Sequence, residues 1–335
     1  KECKMKKVIF FISIFIISVV NCKAQFPPTT PTNYPITTAF QTGESSVYIS
    51  PNNPRNIIVG LNSYSSGNPS IGVFISTDAG YTWTANPTPL INGLSHGDPS
   101  VSINRNGKFF ISYYGFGNYQ YVSRSSNGNN WSNTVLSTDQ TDKNFIYIDN
   151  NCSSPHFNRI YNAWTVLNTS QIGAIFLRYS DDEGESWSSP QIQIYPPAPE
   201  EAEEIAELPI DPTTYLGVNL VSDDNGILIC SWCEIPPNIN GVRQPRKIGV
   251  SRSSDGGDNW ELCVSNITPN SYYIDKEYNC IGPSLCYNTS NNYAYLVFSS
   301  NNAGFSYDNN LVYIARSSYP YTAWTQGQVN NAATN

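Results

Sequence analysis

The segment Ser76-Thr77-Asp78-Ala79-Gly80-Tyr81-Thr82-Trp83 decides the reading of this chain, because its skeleton, Ser-x-Asp-x-Gly-x-x-Trp, returns along the sequence. Ser180, Asp182, Gly184 and Trp187 repeat it in full, as do Ser253, Asp255, Gly257 and Trp260. A copy ending at Trp131 keeps Gly128 but carries Ser126 where the aspartate stands, and a copy ending at Trp324 keeps only Ser317 and the tryptophan. The copies recur at intervals of about 50 to 70 residues, the signature of a propeller or another repeat array. Each residue type suits a turn. The Asp or Ser side chain holds turn amides, Gly supplies a positive φ, and Trp covers the turn with apolar area. Turn chemistry accounts for the whole box, which therefore reads as a folding clip and not as a ligand contact.

Working outward from the boxes exposes the strands. A first run precedes each: Gly43-Glu44-Ser45-Ser46-Val47, Gly97-Asp98-Pro99-Ser100-Val101, Lys143-Asn144-Phe145-Ile146, Leu216-Gly217-Val218 and Gly282-Pro283-Ser284-Leu285. Pro99 and Pro283 fall at the same point, where the start of a strand tolerates proline. Second runs follow at 57–61, 109–114, 160–165, 227–232 and 293–298, and third runs at 71–75, 172–177 and 248–250 lead straight into boxes. Three strands, the box as hairpin turn, and a fourth strand after the Trp make a four-stranded antiparallel blade. The fold expected is all-β, a propeller with five visible blades.

Composition agrees. The chain has 335 residues, 39% of them apolar and 13% aromatic, which is enough for a large core, and a single Met against 23 Tyr and 23 Pro favours strands and turns over helices. A net charge of −8 leaves no basic footprint for nucleic acid. At the start, Met5 reads as the initiator, Lys6 and Lys7 precede an apolar run over 8–20, and Ala24 offers a cleavage point before Gln25. This reads as a signal peptide and implies a secreted or cell-surface protein with no transmembrane helix in its mature chain. Cys22 offers lipid attachment as an alternative, although Asn21 before it fits such a signal poorly. The domain layout expected is a leader over 1–24, an N-terminal segment over 25–42 and the propeller over 43–335. Export permits disulfides among Cys152, Cys230, Cys233, Cys263, Cys280 and Cys286. Cys230 and Cys233 sit in a strand pattern without a second ligand pair, so no metal or other cofactor is expected.

The boxes at 76–83 and 253–260 resemble the Asp-box (BNR) repeats of sialidase-like propellers, and the resemblance extends over residues 43 to about 325. It implies six blades in a full-length protein, hence a C-terminally truncated chain here. It also implies an axial site that acts on or binds extracellular glycans or glycoproteins. The resemblance further implies a Tyr nucleophile paired with a Glu, an acidic acid/base residue, and an arginine triad that clamps a sugar carboxylate. The arginines do not fall where such a triad would need them. Arg124, Arg178, Arg252 and Arg316 lie beside their boxes, and Arg55, Arg105 and Arg159 lie in turns at the same end of the blade. Only Arg243 and Arg246 are left to reach the other face, and Asn33-Tyr34-Pro35-Ile36 carries no Arg-Ile-Pro motif.

The blade geometry itself puts the boxes on one face and the starts of the inner strands on the other. Glu44, Asp98 and Asp142 stand at those starts in the first three blades, so three carboxylates are expected at one channel mouth. Asp98 is assigned the acid/base role of a glycosidase, with Glu44 and Asp142 as partners, and His96, Lys143 and Tyr114 are placed as substrate contacts with Arg243 and Arg246. The same groups serve equally as strand ends around a wet channel. Tyr113, Tyr114, Phe116 and Tyr119 either stack on sugar rings or pack the sheet. The acidic run over 200–207 reads as a solvated loop. Two functions remain open, a glycoside hydrolase of the sialidase-like superfamily and a non-catalytic glycan- or protein-binding module.

Overall fold

A computed structural model of the chain describes residues 36, 42–63, 70–86, 89, 97–167, 173–196, 213–235, 247–267, 282–301 and 310–329. The leader and signal segment with Cys22, residues 33–35, the run over 200–207, His96, Arg243, Arg246 and Cys280 lie outside the described residues.

The sequence folds into five four-stranded antiparallel sheets, each with its strands in chain order. The first blade contains β1 (Thr42–Ile49), β2 (Ile57–Ser63), β3 (Ser70–Ser76) and β4 (Thr84–Asn86); the second contains β5 (Gly97–Ile103), β6 (Phe109–Tyr114), β7 (Gln120–Ser125) and β8 (Ser132–Ser137). The third is β9 (Thr141–Ile148), β10 (Ile160–Val166), β11 (Ile175–Ser180) and β12 (Ile192–Tyr195). The fourth is β13 (Thr214–Ser222), β14 (Leu228–Ile235), β15 (Lys247–Ser253) and β16 (Glu261–Ile267). The fifth is β17 (Ser284–Asn288), β18 (Tyr293–Asn301), β19 (Asn310–Ser317) and β20 (Thr325–Gln328). The inner strands β1, β5, β9, β13 and β17 contact one another in succession. The all-β propeller reading is borne out. Among the described residues, no helix is long and apolar enough to cross a membrane.

The core lies between blades. Ile58, Ile71 and Val73 of the first blade pack with Val101, Ile111 and Tyr113 of the second, and the same mixing recurs at each following junction. A middle strand sandwiched in this way is covered on both faces, which explains why β10, Ile-Tyr-Asn-Ala-Trp-Thr-Val, is buried at every residue, its polar Asn162 and Thr165 included. The outer strands face solvent instead, and all four residues of β20 are exposed.

The boxes clip these junctions. In each complete copy the Ser hydroxyl donates to the Asp and accepts the Gly N–H: Ser76 Oγ to Asp78 2.8 Å and Gly80 N 2.9 Å, Ser180 Oγ to Asp182 2.8 Å and Gly184 N 2.8 Å, Ser253 Oγ to Asp255 2.7 Å and Gly257 N 2.8 Å. The Asp in turn accepts the backbone N–H four residues on, from Thr82, Ser186 or Asn259, and that residue's side chain donates to the second carboxylate oxygen. Hydrogen bonds from both sides keep Asp78 and Asp182 ionised, with pKa values down at about 2.

One copy departs from the sequence alignment and another fills its glycine position with a different residue. In the second blade the aspartate's part is taken by Asn127 and not by Ser126. Ser125 Oγ accepts Gly128 N–H at 2.9 Å and Asn127 Oδ1 accepts Asn130 N–H at 3.0 Å, so this box is one residue shorter between its polar pair and its Gly. In the fifth blade Tyr321 occupies the glycine position at φ +66, and its hydroxyl donates to the Asp223 carboxylate of the fourth blade at 2.7 Å, in a buried site. Arginines tie the boxes of the third, fourth and fifth blades to the blade before. Arg124 reaches Glu185, Arg159 reaches the Gly256 carbonyl at 2.9 Å, and Arg252 reaches the Pro320 carbonyl at 2.9 Å.

Candidate functional site

The strand register separates boxes from channel mouth. Ser76 at the box pairs with Ile57 and thence Ile49, whereas the opposite end of the blade pairs Ile71 with Asn62 and thence Gly43. At that opposite end every well-paired inner strand carries the same irregularity. Two residues of the inner strand face one of its neighbour: Glu44 and Ser45 oppose Leu61, Asp98 and Pro99 oppose Tyr113, Lys143 and Asn144 oppose Trp164, Gly217 and Val218 oppose Trp232. These are β-bulges whose first residue takes a positive φ: +46 at Glu44, +54 at Asp98, +48 at Lys143, +70 at Gly217, with Gly282 at +136 in the matching place before β17. The bulge also explains the prolines. Pro99 lies inside β5, at a bulge residue whose N–H has no ladder partner to lose.

The register corrects one equivalence. Asp142 pairs with Thr165 just as Gly43 pairs with Asn62 and Gly97 with Tyr114, so it stands one residue before the bulge, and Lys143 is the counterpart of Glu44 and Asp98. Matching carboxylates by type conceals this, because register depends on the partner strand. Holding a non-glycine residue in the left-handed region costs about 1–2 kcal/mol each. Three successive blades bear that cost at the point where their side chains meet.

The three carboxylates do converge. Lys143 Nζ lies 2.9 Å from Glu44 Oε2 and 2.9 Å from Asp98 Oδ2. Asn62, buried at the end of β2, donates to Glu44 Oε2 at 3.1 Å and Asp98 Oδ1 at 3.2 Å while its own oxygen accepts Asp98 N–H at 2.8 Å. Lys143 N–H donates to Asp142 Oδ1 at 2.8 Å, and Asn144 Nδ2 donates to the Asp98 carbonyl at 2.8 Å. Behind Asn144 stands a buried side-chain network in which Ser112 hydrogen-bonds Asn144, Gln120 and Asn162. Asn62 and Asn144 were not singled out from sequence; a polar residue closing the apolar run of β2 was the available signal.

Environment separates the protonation states. Burial opposes ionisation of Asp98, yet hydrogen bonds from Glu44 and Asp142 and the Lys143 charge outweigh it and bring Asp98 down to about 2. Burial, then the hydrogen bond to Asp98 and its negative charge, raises Asp142 to about 7. Glu44 is raised as well, first by its hydrogen bond to Asp98. Burial and the Asp98 and Asp142 charges push Tyr114 up to about 12, so its phenol keeps its proton beside the cluster. Of the neighbouring aromatics, Tyr113 is wholly buried and stacked on Tyr121, hence a core residue, while Phe116 is exposed.

Glu44, Asp98, Lys143 and Asn144 line one side of a cavity of about 320 Å³ at the axis; Gly217, Val218, Asn219, Gly282, Pro283 and Ser284 line the other. No arginine among the described residues lines it. Among the described residues no disulfide joins Cys152, Cys230, Cys233, Cys263 or Cys286, and Cys230 is fully buried, with its pKa raised by burial.

No protein-family model matches the sequence, and no curated protein matches it. Solved structures match its fold. The chain superposes on the Hadza microbial sialidase Hz136 with TM-score 0.51 at 17% identity, over 86% of this chain and 58% of that one. It superposes on the leech intramolecular trans-sialidase with TM-score 0.56 at 11% identity, over 90% and 64%, and on the intramolecular trans-sialidase of Ruminococcus gnavus with TM-score 0.54 at 11% identity, over 87% and 85%. It thus spans less than two thirds of the length of the first two. At these identities the likeness is one of fold: a sialidase-like propeller.

Proposed function

We propose that this chain is the propeller of an exported protein that hydrolyses glycosidic bonds at the axial mouth, with its five clipped turns serving as Asp-box repeats. The observation that carries the reading is the pairing of two adjacent carboxyl groups in opposite states, Asp142 near 7 beside Asp98 near 2. Glycoside hydrolysis needs such a pair, because one group must deliver a proton while negative charge faces an oxocarbenium-like transition state. Asp142 is the group that still holds a proton near neutral pH. The acid role assigned to Asp98 on sequence therefore passes to Asp142, since the ion pair with Lys143 keeps Asp98 ionised. Asp98 supplies the negative charge in this scheme, Glu44 donates to it, and Tyr114 is a substrate contact. Export rests on the apolar run over 8–20.

A second reading, non-catalytic glycan binding, draws support from one feature of the same cluster. The carboxyl groups hydrogen-bond one another through Asp98, whereas glycosidase carboxyls ordinarily stand about 5–10 Å apart across the scissile bond. A panel of chromogenic glycosides tests the choice. Turnover by the wild type that drops at least a hundredfold in both Asp142→Asn and Asp98→Asn supports hydrolysis. Binding on a glycan array without turnover on any substrate would refute it and leave the binding module.

A further inference from the structure

We propose that the axial cavity takes a sugar unit bearing no carboxylate, an uncharged pyranose or furanose and not an acidic sugar. The inference rests on the glycan-directed reading above and narrows it to a ligand class. Its basis is the contrast between the two arcs of the mouth. On one arc Glu44 and Asp98 share a single ammonium, Lys143, two of whose three N–H donors are spent on them at 2.9 Å, so the cluster offers a ligand carboxylate no uncommitted cation. A carboxylated ligand would need a cation with free donors, ideally the planar fork of an arginine. Among the described residues no arginine lines the cavity, and Arg124, Arg159 and Arg252 bind carboxylates and box carbonyls at the other end of the blades. Like charges a few ångströms apart in a partly buried site repel by more than a factor of about ten in affinity.

The other arc has no charge at all. Gly217 and Gly282 leave bare backbone there, and Val218 and Pro283 add apolar surface. Gly282 must stay bare, because a Cβ on it would lie 2.3 Å from the Gly217 carbonyl oxygen. A sugar ring matches this division. Its C–H face suits the glycine and proline wall, and its hydroxyls donate to carboxylate oxygens, which can only accept. A cavity of about 320 Å³ lies at the small end of ligand sites, in keeping with one ring or a short terminal unit.

Saturation-transfer NMR on the full chain tests this with two probe sets, neutral methyl glycosides (galactoside, glucoside, xyloside, arabinofuranoside) and acidic sugars (N-acetylneuraminic and glucuronic acid). The expected result is binding of at least one neutral glycoside at least tenfold tighter than either acid. In the double variant Glu44→Gln/Asp98→Asn that preference should shrink severalfold, checked on protein whose circular dichroism matches the wild type. An acidic sugar that binds as tightly as any neutral one overturns the ligand class while the glycan-directed reading stands. Failure of both probe sets to bind overturns both, and a preference unchanged in the double variant removes the carboxylate cluster as its source.

Discussion

Replacing Asp142 with asparagine should stabilise the protein in neutral and alkaline buffer and leave its stability almost unchanged near pH 4. In an unfolded chain an aspartate ionises near 3.9. In the folded protein, burial and the Asp98 carboxylate hold Asp142 protonated up to about pH 7. Between those two midpoints the folded state retains a proton that the unfolded state has released, so stability falls as pH rises through the window and levels off above it. At about 1.36 kcal/mol per pH unit the full span corresponds to about 4 kcal/mol, and partial solvent screening at the cavity reduces the expected effect to about 2–4 kcal/mol. Asparagine resembles the protonated carboxyl: Oδ1 still accepts Lys143 N–H, and Nδ2 donates toward Asp98 where the carboxylic proton did. It carries no proton to lose. Urea unfolding of wild type and Asp142→Asn at half-unit steps from pH 4 to pH 8.5 measures the difference directly. A stability offset that stays constant with pH, or a variant weaker than wild type at pH 8, would refute the assignment. The same variant should lose turnover, which makes Asp142 a position where function costs stability.

Three further outcomes follow from the same geometry. If Asp142 delivers the proton, kcat/KM on any accepted glycoside should fall above about pH 7, and an activity that rises steadily to pH 9 would count against it. Tyr321→Phe removes a buried hydroxyl from the Asp223 carboxylate and should cost about 1.5–3 kcal/mol in chemical denaturation, with ligand binding at the mouth unchanged. Arg159→Lys should cost about 1 kcal/mol in the same assay. Its ion pair with exposed Asp181 contributes little, but lysine can neither lie over the Tyr179 ring, 4.1 Å away, nor keep the fork that reaches Gly256.

How far the sequence carried depends on whether a feature is local. The strands and complete boxes were legible because alternation, turn chemistry and the Ser-Asp-Gly-Trp spacing act within a few residues. The exchange of Asn127 for Ser126 was hidden because counting back from Trp131 assumes a turn of fixed length, and this one is a residue shorter. Spacing alone puts Tyr321 at the glycine position, but its positive φ and its hydrogen bond to Asp223 could not be read, since that partner belongs to another blade. The mouth was half legible. Repetition predicted that Glu44, Asp98 and Asp142 meet, but the bulge that brings them together is a relation between two strands and leaves no mark on either one alone. His96, Arg243 and Arg246 lie outside the described residues.

The repeated bulge makes the mouth a ring of five interchangeable sockets, each filled by whichever side chain the chain presents at that one step. Three sockets now hold Glu44, Asp98 and Lys143, and two hold glycine. Any of the first three can be exchanged without touching a ladder hydrogen bond elsewhere in its sheet, so the chemistry of the site can drift quickly while the blades stay fixed. The socket at Gly282 is closed to such drift, because the backbones of the fourth and fifth blades meet there too tightly for a side chain on Gly282. New specificity on this scaffold should therefore arise in the other blades.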